Sequence, residues 1–314
     1  MLFVATSCGN SWLDLEPSTS VDTETSIKIL SDVEFTLNGI YSTMQSSDAY
    51  SGRLVYYGDV TGDDMQAVSS TKRVANYYRF NFTKDDNPSS HWSYLYSIIQ
   101  NCNLILMNID KLAIDEEDKA YRDDLKGEAL AIRGLALFDL TRIFGYPYLK
   151  DNGASLGVPI IEGLSTIDSK PTRNTVAQCY TKIIDDLTQS ISLLGEKFNK
   201  GKINKWGAMV LLSRVYLYKG ENANALKMAG DAITGAEKNK YALWTNEDYP
   251  TAWGEDASAS KPGEVLFEIV NLTTDSPGKE SMGYLNSYDG YDDMCITCSF
   301  YQFLKEDPKD IRLK

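Results

Sequence analysis

Ten consecutive residues near the end of this 314-residue chain, Tyr284 to Asp293, interleave three tyrosines (Tyr284, Tyr288 and Tyr291) with Asn286, Asp289, Asp292 and Asp293. Sugars present apolar C–H faces that stack on aromatic rings, and hydroxyls that pair with amides and carboxylates. Rings held in a loop beside such groups therefore suit carbohydrate binding. The competing reading is that these tyrosines pack the loop itself or face further chain. A second group, Asp59, Asp63 and Asp64, supplies hard oxygen ligands of the kind calcium takes. Their spacing is not that of an EF-hand loop, so a structural calcium competes with solvated loop carboxylates. A third, Cys295-Ile-Thr-Cys298, has Cys-x-x-Cys spacing, but no second pair or nearby histidine completes a zinc site. Packing is the simpler reading of this pair, with a redox or disulfide role as the alternative.

Catalysis is poorly supported. There is no Gly-x-Ser-x-Gly elbow, phosphate-binding loop or dinucleotide fingerprint. His91 is the one histidine, so a Ser-His-Asp or Cys-His centre would have to be built on it, and it opens a helical pattern. The 44 acidic residues always offer pairs for glycoside hydrolysis, which makes such pairs uninformative. The expectation is a binding protein, not an enzyme. With 31 basic residues and a net charge of −13, nucleic acid and an anionic membrane surface are disfavoured as main partners. Nor does any stretch approach the roughly 20 apolar residues that span a bilayer.

The elements that must position these groups read as mostly helical. From Glu128 to Phe144, Ala129, Ile132, Ala136, Leu140 and Ile143 form one stripe, widened by Leu135, Phe138 and Phe144. Ala129, Ala131, Gly134 and Ala136 allow close approach of another helix, Gly145 stands where a left-handed C-cap is wanted, and Pro147 cannot continue the helix. Ser31 with Glu34 reads as a capping box opening a helix over 32–45. Residues 46–90 read as irregular, and helical spacing resumes from His91 to Lys111, where it marks Trp92 and Tyr96 as core. A further helix follows from Asn174 until Gly195 ends it. Cys102 and Cys179, inside helical patterns, read as small core residues.

The stretch around Leu212 to Ala232 fits a tetratricopeptide repeat. With Leu212-Ser213 at the seventh and eighth places, Tyr216, Gly220, Ala225 and Ala232 take the eleventh, fifteenth, twentieth and twenty-seventh. Ala229 is smaller than usual at the twenty-fourth, and the closing proline is missing. One repeat cannot bury its own faces, so a stack of helical pairs is expected over 31–240, with long loop insertions and a little β. Residues 241–314 read as a loop-rich segment on the ligand side, with one strand over Val265–Val270 and a short helix over Ser299–Lys305.

The run Ala129-Leu-Ala-Ile-Arg-Gly-Leu-Ala-Leu-Phe-Asp-Leu-Thr-Arg-Ile-Phe-Gly-Tyr-Pro-Tyr148, followed by Leu156-Gly-Val-Pro-Ile160, resembles the SusD/RagB family of outer-membrane nutrient-binding lipoproteins of Bacteroidetes. The resemblance implies a tetratricopeptide-like fold and a lipid on Cys8, which ends an apolar stretch like a lipoprotein signal at 1–8 and precedes a linker over 9–30. It implies oligosaccharide or polysaccharide capture for a TonB-dependent, SusC-like transporter from a lipid-anchored position on the outer-membrane surface. By position it directs attention to Tyr284, Tyr291 and the loop from Asp64 to Gln66. That loop holds Met65-Gln66-Ala67 and no tryptophan, unlike a starch-type aromatic arc. The resemblance also implies a longer protein, with chain continuing beyond Asp307-Pro-Lys-Asp310. Two alternatives stand beside glycan capture: a RagB-type lipoprotein for peptide or another nutrient, and a tetratricopeptide scaffold that binds only proteins.

Overall fold

The long central helix is the axis of the molecule. In the computed structural model, which describes residues 26–83, 89–166, 168–197, 199, 201–252, 263–272 and 274–313, this helix runs Lys119–Phe144 and every residue from Gly127 to Thr141 is buried. Numbered in chain order, the elements are α1 (Leu30–Met44), α2 (Arg53–Thr61), β1 (Met65–Ala67), α3 (Ala75–Tyr78), α4 (Ser89–Asn108) and the central α5. They continue as α6 (Val176–Leu193), α7 (Lys205–Lys219), α8 (Asn222–Lys238), α9 (Tyr249–Ala252), α10 (Met282–Asn286), β2 (Met294–Ile296) and α11 (Cys298–Leu304). Cys8, the signal-like stretch and the linker up to residue 25 lie outside the described residues.

Helices α1, α4, α5, α6, α7 and α8 pack in sequence order, each on its predecessor, which is the expected stack of helical pairs. One continuous core joins Leu37 and Ile40 of α1, Ile98 and Ile105 of α4, Ile132 and Phe138 of α5, Ile183 of α6 and Leu212 of α7. The small residues of α5 serve close approach as expected: a Cβ on Gly134 would lie 3.1 Å from Leu187 of α6. The repeat at α7 and α8 has its turn where the pattern placed it, with Gly220 at φ +84° and the Ser213 hydroxyl donating to the Ala225 carbonyl at 2.8 Å. Trp92 and Tyr96 pack on the core beside Phe144, and Cys102 and Cys179 are buried.

Charge lies inside this stack. Arg133 forks onto Asp186 of α6 at 2.8 and 2.6 Å and reaches Asn103 of α4 at 2.8 Å, all three groups being buried. Asn103 in turn donates to the carbonyls of Ile161 and Gly163, so one guanidinium ties three helices and the long connection after α5. Near the other end of α5, the buried Glu128 accepts from the Tyr41 hydroxyl of α1 at 2.7 Å, and Tyr41 accepts from the Ile203 amide at 3.0 Å. Burial pushes the Glu128 carboxyl up to about 7, against opposing pulls from Tyr41 and Lys202, while Asp124 and Glu34 push it further up.

Four local expectations are corrected. The first helix starts at Leu30, and its cap is Asp32 accepting from the amides of Lys28 and Ile29, which pre-empts the Ser31–Glu34 box. Residues 46–83 are irregular only in part: they hold α2, β1 and α3, short elements whose few apolar positions leave little periodicity to read, and α4 begins at Ser89. Gly145 is extended (φ −106°, ψ 172°), not left-handed, and its lack of a side chain serves space, since a Cβ there would fall 2.6 Å from the Thr141 carbonyl oxygen. Val265–Val270 forms no strand. Its carbonyls at Leu266 and Val270 accept instead from the side chains of Asn204 and Gln45, so the β-branched residues find a packing surface without a ladder partner. The Ser299–Lys305 helix is observed over Cys298–Leu304.

Two outcomes follow for stability. Arg133→Ala removes the bidentate partner of the buried Asp186 and leaves it only the longer ion pair with Lys182 at 3.3 Å, so thermal unfolding is expected to show a loss of up to about 3–5 kcal/mol, largely recovered in an Arg133→Met, Asp186→Leu double variant. Because the folded Glu128 keeps its proton above the ordinary carboxylate range, its own contribution to stability is fully present below pH ~4.5 and is lost as pH rises through about 7, by roughly 3 kcal/mol in total. Glu128→Gln should therefore flatten the pH dependence of Tm between about pH 5 and 8, which circular dichroism melts across that range would measure.

Candidate functional site

A second, smaller core decides where the sequence-predicted residues stand. Tyr56 and Val60 of α2, Val74 before α3, Leu285 of α10 and Met294 of β2 bury together, with Met65, Ala67, Tyr77 and Met282 packed on them. These residues come from two stretches more than two hundred positions apart, joined by an antiparallel ladder in which Met65 faces Ile296, Gln66 faces Cys295 and Ala67 faces Met294. The ladder alternates as a half-buried sheet must. Met65, Ala67 and Met294 turn to the small core, while Gln66 and the exposed Cys295 share the outer face, with the Gln66 amide 3.6 Å from the Cys295 sulfur. Thr297 closes the end, its hydroxyl donating to the Asp63 carbonyl at 2.8 Å and its amide to the Asp64 carbonyl at 2.9 Å.

The tyrosine loop is an organised turn. The amides of Tyr291 and Asp293 donate to the carbonyls of Tyr284 and Leu285 at 2.9 Å each, and those of Gly290 and Asp292 donate to the Ser287 carbonyl. Asp292 takes φ +48°, a left-handed conformation that Asp tolerates better than most residues. Tyr284 and Tyr291 meet edge to face, with centroids 5.1 Å apart at 84°. Arg73 covers the Tyr291 ring at 4.0 Å while its guanidinium pairs with the buried Asp293 at 3.0 Å and with Glu280 at 3.1 Å. Lys72 donates to the Tyr291 carbonyl, and the Lys279 ammonium lies 5.9 Å from the Tyr284 ring.

The three tyrosines therefore divide. Tyr284 and Tyr291 are structural partners of each other and of Arg73, whereas Tyr288 at the tip of the turn is 88% exposed. Asn286 ends α10 with its Oδ1 shielded from solvent, so it faces inward, and Asp289 is exposed beside Tyr288. Asp64 is exposed and Gln66 half-buried at the ladder, which places them on the same lobe as the loop. Asp59, Asp63 and Asp64 are not gathered into a ligand set: among the described residues no three metal-ligating side chains come together. Burial and the charge of Asp64 raise the Asp59 carboxyl above its ordinary range. Cys295 and Cys298 are free and exposed, which corrects the packing reading, because the ladder turns Cys295 outward. His91 is fully buried with its Nδ1 2.9 Å from the Asp48 carbonyl oxygen.

One group of rings was missed. Tyr57, Tyr77, Phe80 and Phe82 form a chain of edge and tilted contacts with centroids 5.5 to 6.3 Å apart, and Phe80 is 64% exposed at φ +54°. The signal was the alternation Tyr78-Arg79-Phe80-Asn81-Phe82, rings between polar side chains inside a stretch read as irregular. Elsewhere, a cleft of about 520 Å³ opens between α5, α7 and residues 264–269, lined by Tyr50, Asp139, Arg142, Arg214 and Phe267 among others. None of the sequence-predicted site residues reaches it, and its Asp139 is already held by Tyr50 and Arg142.

A SusD-like family model, described as starch-binding associating with outer membrane, matches residues 11–217. A crystal structure of a candidate sugar-binding protein of Bacteroides vulgatus ATCC 8482 is 82% identical, with a TM-score of 0.90 over 92% of this chain and 65% of that one. A SusD superfamily protein of the same organism is 38% identical, with a TM-score of 0.84 over 91% of this chain and 64% of that one. SusD-like protein P2 of Formosa agariphila is 27% identical over 92% of this chain and 55% of its own length. The chain thus spans about half to two thirds of the length of these relatives. The mostly helical stack and the match over residues 11–217 agree, and the chain belongs to the SusD-like family.

Proposed function

We propose that this chain carries the glycan-contacting part of a lipid-anchored outer-membrane protein that captures oligosaccharides and passes them to a SusC-like TonB-dependent transporter. The observation that carries the reading is Tyr288, a ring 88% exposed on a turn pinned by its own backbone hydrogen bonds. A pinned turn presents the ring without the cost of ordering the loop on binding. Asp289 beside it, and Asp64 and Gln66 on the same lobe, offer hydrogen-bonding groups for hydroxyls. Tyr291, Tyr284, Asn286 and Asp292 shape the turn, and Arg73 holds it against the segment before α3.

The family description, starch-binding at the outer membrane, supports the same class of ligand and location. Among the described residues no helix is long and apolar enough to cross a membrane, so attachment through a lipid on Cys8 is compatible with the body of the chain. A binding role without catalysis fits a surface whose polar groups serve the turn and whose single histidine is buried.

Affinity electrophoresis against a panel of plant, fungal and host polysaccharides tests the proposal. Retardation by at least one glycan is expected, with Tyr288→Ala weakening it several-fold to about tenfold, the scale of one lost aromatic contact. Tyr291→Ala should also weaken binding, but together with a lower Tm, because it removes the partner of Arg73 and Tyr284. Absence of retardation by every glycan, from protein with the expected helical spectrum, would refute the reading in favour of a peptide or protein ligand.

A further inference from the structure

We propose that the Tyr288 loop selects uncharged glycans and rejects polyanionic ones, those built from uronic acids or bearing sulfate. The inference rests on the reading of this loop as a glycan contact and names the ligand's charge class. It follows from how the charges around the loop are paired.

Three cations stand at the base of the turn, and one of them, Arg73, is held in ion pairs. Arg73 is shared between Asp293, Glu280 and the face of Tyr291, so its charge is matched by two carboxylates. Lys72 is drawn to the Tyr291 carbonyl and Lys279 lies toward the Tyr284 ring. An incoming carboxylate or sulfate that drew Arg73 away would leave Asp293, whose side chain is 5% exposed, without its counter-charge.

The carboxylates are placed the other way. Asp289, next to Tyr288, is exposed and makes no ion pair among the described residues. At the ladder end of the same lobe, Asp59, Asp63 and Asp64 are exposed. A polyanion laid across the lobe meets Asp289, Asp59, Asp63 and Asp64 with like charge, against two lysines, Lys72 and Lys279, that make no ion pair among the described residues, a balance that opposes binding. A neutral chain meets the carboxylates as hydrogen-bond acceptors for hydroxyls. The −13 net charge of the whole chain adds a long-range field of the same sign.

The test compares neutral polysaccharides (a β-glucan, an α-glucan and a xylan) with polygalacturonate, alginate and heparin in the same affinity gels. Retardation by at least one neutral glycan and at least tenfold weaker retardation by every polyanion is expected. Neutral binding should hold steady from about 0.1 M to about 1 M salt, over which the Debye length falls from about 10 Å to about 3 Å. An Asp64→Lys, Asp289→Lys variant, both substitutions being at exposed positions, should gain retardation by polygalacturonate at low salt and keep its Tm. Comparable retardation of the unmodified chain by a polyanion overturns the inference, and loss of that retardation in Arg79→Ala would locate the anion contact on the Tyr57–Phe82 rings instead. If no glycan of either kind binds and Tyr288→Ala changes nothing, it is the glycan reading itself that falls, and the selectivity with it.

Discussion

The bidentate pair between Arg133 and Asp186 is the constraint on which the rest of the molecule depends. A guanidinium and a carboxylate placed inside a helical stack are costly to desolvate, and they are tolerated where close hydrogen bonds replace the lost water. Here two donors go to Asp186 and a third to Asn103, whose own amide holds the connection after α5. An apolar stripe would let α5 and α6 slide by a turn with modest loss. The fork does not, because a shift of one residue would break both hydrogen bonds in a low-dielectric interior. The register of α4, α5 and α6 is therefore set by one side chain, and the α7–α8 pair inherits it by packing on α6.

The smaller lobe is held by different physics. Its core is only a handful of side chains, too few to specify a fold alone, and it is completed by a three-rung ladder and by Arg73 bridging Asp293, Glu280 and Tyr291. Both devices join residues 65–74 to residues 280–296. The lobe is thus a place where two loops of the helical stack fix each other's position, which is how binding surfaces are commonly mounted on a rigid scaffold. A turn pinned at its base and open at its tip leaves Tyr288 ordered yet exposed.

Much of the fold was legible in the chain. The central helix, the stripe of α4, the repeat around Leu212 to Ala232 and even the turn at Gly220 follow from period and residue type, because long amphipathic helices repeat their instruction many times. Short elements repeat it too few times. The region over 46–90 looked irregular since α2, β1 and α3 hold nine, three and four residues, and Val265–Val270 looked like a strand because β-branched residues favour any half-buried surface. Gly145 looked like a left-handed cap because glycine answers two needs, and here the need was room beside the Thr141 carbonyl.

For the candidate site, composition singled out a stretch but could not tell its rings apart. Tyr284, Tyr288 and Tyr291 are equivalent as letters, and their roles are set by what faces them. That is decided by Arg73, a residue more than two hundred positions away whose sequence neighbourhood carries no sign of it. Likewise Asp64 and Gln66 join the loop only through the pairing of β1 with β2. Local spacing, repeated over several turns, determined the helices, their order and the stack they build. The partition of side chains into structural and available ones was left to tertiary contacts, because exposure and pairing are properties of groups brought together in space, which no period in a linear chain encodes.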